Sequence, residues 1–471
     1  TPFVGPQGTF RVELATRQLP AGSSLSLTVY SQVSSRARLE RTMAGEQLGT
    51  PITTTPSIAV ASGAASTTVV LPLSATWPAP TDGAVLSNAG VYPVTIDAKR
   101  ADGTRIDRLV TQLVRLPAVD TATDALEVGT IVRIDAVPAV DDDGVATLSD
   151  ADTTTTRERL AIIDDPSIAP PLTLSASPFV LSTLREGGAT IATTSPTRQT
   201  ASHPWVSIDA SSFAAAQQDG VIIDEARVGD AALTSLYGIA PDRRTAIIDP
   251  TTSAHVLDLA ALRGTTSVVL DAVQIRAALV NNESSVLTQQ FVITSEHGAS
   301  FAALASDDTA LTPFATTADP VLAAHRTIAE LAMLHFEQPS AGRGVALALP
   351  AAIDPIALRT LLTGLTQRTG AASGGAGSAV IAPVTLADLF ASTSVATDRS
   401  RPVVREWTST EAVELGDWNG ALDQARWDLG GLQAMLPDAP DLTDPIARSI
   451  LTSAARDLPA ADRLAILGTA Q

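Results

Sequence analysis

Between about residues 126 and 395 the chain repeats one pattern, in which a short apolar run is followed by a stretch of helical texture. The runs are Val128–Ile134, Leu172–Ala176, Trp205–Ile208, Ala246–Ile248, Ser267–Leu270, Phe291–Thr294, Val345–Leu349 and Ala379–Ala382. The amphipathic stretches between them are clearest at 320–338 and 355–368. Strands that alternate with helices lie parallel, because each helix carries the chain back to the same end of the sheet. The length of the region suits a (β/α) barrel, and an open doubly wound sheet is the other architecture that fits. No glycine fingerprint of the Rossmann or Walker type follows any run, so those phosphate-binding loops are excluded.

The flanks read differently. Residues 1–117 are predicted to form an immunoglobulin-like β-sandwich, because short alternating or β-branched runs at 24–31, 67–73 and 91–98 are punctuated by Gly, Pro, Ser and Asn. Asp102-Gly103 suits a type I′ hairpin turn joining 92–100 to 104–114. Pro117 to about Ala125 reads as a linker. The segment 400–471 reads as helical, with apolar residues at helical spacing over 419–435 and 445–456. Trp407, Trp418 and Trp427 fall in this segment, where packing is the commoner use of such side chains and stacking on sugar the rarer one.

Composition narrows the function classes. Fifty acidic against 31 basic residues give a formal net charge of −19, which repels nucleic-acid backbones and anionic lipid. Lys99 is the single lysine, so mechanisms built on a Schiff-base or phosphate-binding lysine are excluded. With no cysteine, thiolate nucleophiles, disulfides and zinc fingers are excluded as well. No apolar run reaches the ~20 residues that span a bilayer. The chain opens at Thr1 without a methionine or a basic–apolar leader, and reads as a processed or trimmed piece.

Candidate catalytic residues stand where the expected strands end: Asp135, Asp209, Asp249, Asp271 and the Asp307/Asp308 pair. In a (β/α) barrel the C-terminal strand ends form the active face, and two carboxylates there can cleave a glycosidic bond. The competing use of these acids is helix capping. Asp-Pro recurs at 165, 249, 319, 354 and 444, and Asp at an N-cap followed by Pro at the first helical position is a favourable helix start. Among the histidines, His203, His255, His297, His325 and His335, no pair has His-x₃-His or HExxH spacing. His325 and His335 lie ~15 Å apart on one expected helix. Glu296-His297 is the one acid–histidine neighbour pair. No transition metal and no cofactor are expected. Gly374–Ser378 lacks the strand–turn–helix setting of a nucleophilic serine, and reads as a flexible loop.

The segments 90–117 (GVYPVTIDAKRADGTRIDRLVTQLVRLP), 171–184 (PLTLSASPFVLSTL), 245–271 (TAIIDPTTSAHVLDLAALRGTTSVVLD), 326–350 (RTIAELAMLHFEQPSAGRGVALALP) and 380–390 (VIAPVTLADLF) carry a resemblance. In order and character they resemble a family of large actinobacterial envelope proteins of unknown function, commonly encoded beside the lipid II flippase. The resemblance implies a signal peptide, a β-sandwich, a barrel similar to glycoside hydrolases or polysaccharide deacetylases, and a C-terminal membrane anchor outside this chain. Deacetylases of that kind hold their metal with Asp and His-x₃-His, a spacing missing here. The expectation is therefore an extracytoplasmic scaffold, or a glycan- or partner-binding ectodomain, with a degenerate barrel. Its implied partners are the flippase or cell-wall glycan. The alternative is an active glycan hydrolase using the strand-end acids.

Overall fold

The structure is a computed structural model that describes residues 2–119, 124–168, 170–191, 195, 197–275, 288–339 and 342–470. In the N-terminal part, strands Phe3–Val4, Arg105–Arg115, Gly90–Lys99, Ser24–Tyr30, Pro51–Thr54 and Ile58–Ala59 make one sheet. Thr9–Ala15, Ser66–Ser74 and Ala84–Val85 make a second. Both contribute to one apolar cluster, with Leu27, Val94 and Leu113 from the first and Val69 and Leu71 from the second. The hairpin after Lys99 is not the type I′ turn expected, since Gly103 takes a positive φ of 86° and Asp102 does not. Instead the Asp102 carboxylate accepts the Thr104 N–H at 2.9 Å, an Asx-type turn that needs only one left-handed residue.

Gly90–Lys99 is buried along nine of its ten residues rather than alternating. A strand covered on both faces reads as a continuous apolar run. One face meets the second sheet; on the other, Val91 and the neighbouring Val114 and Leu116 join the cluster that contains Ile328 and Leu331 of helix Pro320–Glu337. The N-terminal sheets are thus fused to the central region through shared core. Residues 374–378, read as a flexible loop, form part of this junction: a Cβ on Gly5 would lie 1.9 Å from the Gly375 carbonyl, so the two backbones pack directly.

The central region is a curled, almost wholly parallel sheet. Its strand order is Arg198–Thr200, Leu172–Ala176, Leu126–Ile134, Gly344–Ala348, Ser300–Ser306, Ser267–Asp271, Thr245–Ile247. The two edges meet through a bridge between Ala201 and Asp242, whose backbone bonds are Asp242 N–H to Thr200 and Ser202 N–H to Asp242, each 2.8 Å. Ile381–Val384 adds on beside the start of Leu126–Ile134. Three expectations fail here. Phe291–Thr294 runs antiparallel to its neighbour, Trp205–Ile208 is a loop, and Ser300–Ser306 is a strand that the apolar runs do not predict.

The inside of the curl is Ile131, Ile247, Val269, Leu304, Ala346 and Ala348, plugged from below by Leu386, Leu389 and Phe390. Gly129 makes room for the plug, because a Cβ there would stand 2.7 Å from Leu389. Alternate residues of a strand share a face. Ile131 therefore puts Arg133 and Asp135 inside and above it, Ile247 does the same for Asp249, and Val269 for Asp271. The lower lumen is apolar and its upper mouth charged.

The capping expectation holds at Asp319 and Asp354, which accept the N–H groups of Leu322 (2.8 Å) and Ile356 (2.7 Å). It fails at Asp444-Pro445, which lies inside helix Pro440–Thr452. Helices Asp417–Met435, Pro440–Thr452 and Ala460–Ala470 pack beside the mouth. There Trp205 Nε1 donates to Thr452 Oγ1 at 2.9 Å and the Trp418 ring meets Phe213 edge-on at 5.6 Å. Trp418 is buried and Trp407 joins a core cluster, as packing predicts, but Trp427 is 79% exposed.

Candidate active site

At the charged mouth a cavity of about 260 Å³ is lined by Arg133, Asp135, His203, Ser207, Asp249 and Arg456, among others. It lies beside the seam where a single bridge joins the sheet edges, since Ile247 and Thr245 of one edge and Ser202 after the other also line it.

The strand-end acids divide by what they touch. Asp135 accepts from Ser207 Oγ and from the Ala136 N–H at 3.0 Å. Asp249 accepts from Thr251 N–H at 3.0 Å and Thr251 Oγ1 at 2.6 Å, and its other oxygen takes Arg456 Nη1. It is held by a turn and an arginine and caps no helix; Ser253 caps the next helix. Asp209 does cap one, accepting Ser212 N–H at 3.2 Å and Ser212 Oγ at 2.7 Å; its neighbours Ile208 and Ala210 line the cavity, while Asp209 itself lines a separate pocket beside Trp418. Asp307 caps Asp308–Thr316 through Ala310 N–H at 3.1 Å. It is 1% exposed and faces the N-terminal part, where Arg36 Nη2 lies 3.0 Å away and Arg36 Nε reaches Glu330 at 3.0 Å. Burial lifts Glu330 to about 7 against the pull of Arg36.

Asp271 and Asp308 remain. Asp271 is the last residue of strand Ser267–Asp271 and stands in register with Ser306, and Asp308 opens the helix two residues after Ser306. Burial is the main cause that raises both above the usual carboxylate range. For Asp271, Arg133 pulls back down and Asp249 pushes further up. Asp308 is raised to about 6, with the charges of Asp271 and Asp307 adding to burial, against the Ala272 N–H and Arg133. A pair of carboxyls near one arginine, one of them poised to hold a proton near neutral pH, is what acid–base chemistry requires. Burial also holds His203 below its ordinary value.

Arg133, His203, Ser207 and Arg456 are site residues that sequence reasoning missed. The parity of Ile131 and Arg133 on one strand was a usable signal for the first. Arg456 had none, because it comes from the C-terminal segment.

A second cluster lies outside the lumen. His255 and Asp258 sit one turn apart on helix Ala254–Leu262, and Glu296 and His297 on the turn after Phe291–Thr294. One ligand atom from each falls within 4.8 Å of all the others. Two sequence-distant segments supply these groups, so spacing rules based on one helix do not detect them.

No protein-family profile matches the chain, and no curated protein matches it in sequence. Among solved structures, a 4-α-glucanotransferase from Thermococcus litoralis aligns over 71% of this chain and 56% of its own, at 10% identity and TM-score 0.45. The α-amylase AmyC from Thermotoga maritima aligns over 70% and 87%, at 10% identity and TM-score 0.43. A polysaccharide deacetylase from Bacillus cereus aligns over 56% and 88%, at 8% identity and TM-score 0.17. The chain thus spans little more than half the length of the glucanotransferase. Any chemistry at the mouth rests on this chain's own residues.

Proposed function

We propose that the mouth of the curled sheet binds a glycan and that Asp271 and Asp308 act on it as a hydrolytic pair. The supporting observation is their placement, Asp271 at the end of one strand and Asp308 two residues past the end of its neighbour, both inside reach of the Arg133 charge. Asp308, the more proton-retentive, gives its proton to the leaving glycosidic oxygen. Asp271, whose rise Arg133 opposes, serves as base or nucleophile, so that water's oxygen ends on the anomeric carbon. Asp249 and Arg456 line the cavity alongside and offer an acceptor and a donor to sugar hydroxyls. The test is release of reducing ends from cell-wall glycan and aryl glycosides. Asp308→Asn and Asp271→Asn should each lower it by about 10²–10⁴-fold.

A second reading is a degenerate barrel acting as scaffold. It is favoured by how many acids already have partners: Asp135, Asp209, Asp249 and Asp307 are all engaged. On this reading the chain is an envelope ectodomain with an immunoglobulin-like N-terminal unit. It would be anchored outside this chain and work beside the lipid II flippase or on cell-wall glycan, a setting supported by the segment resemblance alone. Glycan binding with no sugar release by the wild type, and recovery of the flippase with the full-length protein from its native membrane, would favour it.

A further inference from the structure

We propose that His255, Asp258, Glu296 and His297 form a binding site for a divalent metal of the zinc class, independent of the carboxylate pair in the lumen. Their ligand atoms lie within 4.8 Å of one another. Tetrahedral zinc holds nitrogen and oxygen ligands at about 2.0–2.2 Å, which separates neighbouring ligand atoms by roughly 3.4 Å. The difference is small for side chains as exposed as His297 (73%) and Glu296 (60%), and His297 already brings Nδ1 to 2.8 Å from an Asp258 oxygen. Two imidazoles and two carboxylates balance a dication and, with nitrogen in the set, discriminate against calcium and magnesium.

The surroundings are arranged as for ligation. Asp219, from helix Asp219–Tyr237, places its two oxygens 3.0 and 3.1 Å from His255 Nε2. That contact makes Nε2 the proton-bearing nitrogen and leaves the lone pair on Nδ1, the atom that faces Glu296 at 3.9 Å. A carboxylate fixing the tautomer of a ligand histidine is the usual outer partner in zinc sites. Asp258 is oriented in the same way, accepting from Ser295 Oγ and from the His297 N–H at 3.2 Å. The backbone also joins the two segments, Glu296 N–H donating to the Ala254 carbonyl at 3.4 Å. Four protein ligands close the coordination sphere, so the ion's role is structural. It clamps the start of helix Ala254–Leu262 to the hairpin that feeds strand Ser300–Ser306.

Titrating metal-free protein with zinc chloride in a calorimeter should give one site per chain at micromolar or tighter affinity, and added zinc should raise the melting temperature. His255→Ala and His297→Ala should each weaken zinc by more than tenfold, and Asp219→Asn by about ten- to a hundredfold. These side chains are partly or largely exposed, so circular dichroism is expected to show unchanged folding. No zinc binding at 100 μM would overturn the proposal. So would equal binding by the His255/His297 double variant, or calcium and magnesium binding as tightly as zinc.

Discussion

Replacing Asp308 by asparagine should stabilise the protein at pH 8 several times more than at pH 4. Burial, Asp271 and Asp307 push this carboxyl from 3.8 to about 6. An upward shift means that the folded state resists ionisation of the group. Well below pH 4 it is protonated in both states and contributes nothing. As pH rises from 4 to 6 the unfolded chain releases its proton first, and the folded state loses ground until the penalty is complete above pH 6. About two units at ~1.4 kcal/mol each would amount to ~3 kcal/mol. The side chain is half-buried, and solvent screening reduces the expectation to about 1–2 kcal/mol. Asparagine keeps the shape and an oxygen for the Ala272 N–H that bonds to this group. Urea unfolding of both proteins at pH 4 and pH 8 reads the effect. A variant that is less stable at pH 8, or stabilised equally at both pH values, would refute the argument. Stabilisation together with loss of sugar release would mark Asp308 as a position where stability has been given up for chemistry.

Arg36→Ala should cost about 3–5 kcal/mol in urea unfolding, because it leaves two carboxylates at 1% and 2% exposure, Asp307 and Glu330, without their cation; a loss under ~1 kcal/mol would show that the pair does not tie the N-terminal part to the barrel. Asp209→Ala should cost ~0.5–2 kcal/mol, the usual worth of an N-cap, with sugar release and glycan binding unchanged. Loss of activity at unchanged melting temperature would instead make Asp209 catalytic.

The parallel core was legible because burial on both faces turns a strand into an apolar run. Leu172–Ala176 falls on its run and Leu126–Ile134 begins two residues before its own. The same rule misled at Trp205–Ile208, where the apolar residues are covered by the C-terminal helices while the backbone is a loop. Ser300–Ser306 escaped for the opposite reason. Its sequence, SFAALAS, is mostly small residues, which carry little β preference; Ala303 and Ala305 pack on the outer face with Val268 and Phe291, while Leu304 meets Leu386 and Leu389 in the lumen. Periodicity reports how a segment is covered, and its hydrogen bonding follows only when the cover is a sheet neighbour or a crossover helix.

The site was harder to read, and the neighbours Asp307 and Asp308 show why. As letters they are one acidic pair. In the fold Asp307 turns to Arg36, 271 residues earlier in the chain, and serves the junction. Asp308 lies close enough to Asp271 and Arg133 for both charges to act on it, and serves the mouth. Asp249 makes the same point, since its partner Arg456 lies 207 residues on, in the C-terminal segment. Local sequence placed Asp135, Asp249 and Asp271 at strand ends, because those ends are set by runs a few residues long; before Asp209 the run is a loop. Whether the acid is then capped, paired or left with a raised pKa depends on which distant cation the fold delivers. For Asp307 and Asp249 it delivers one at bonding distance, while among the described residues no cation lies so close to Asp308, and so the proposed chemical pair is Asp271 with Asp308.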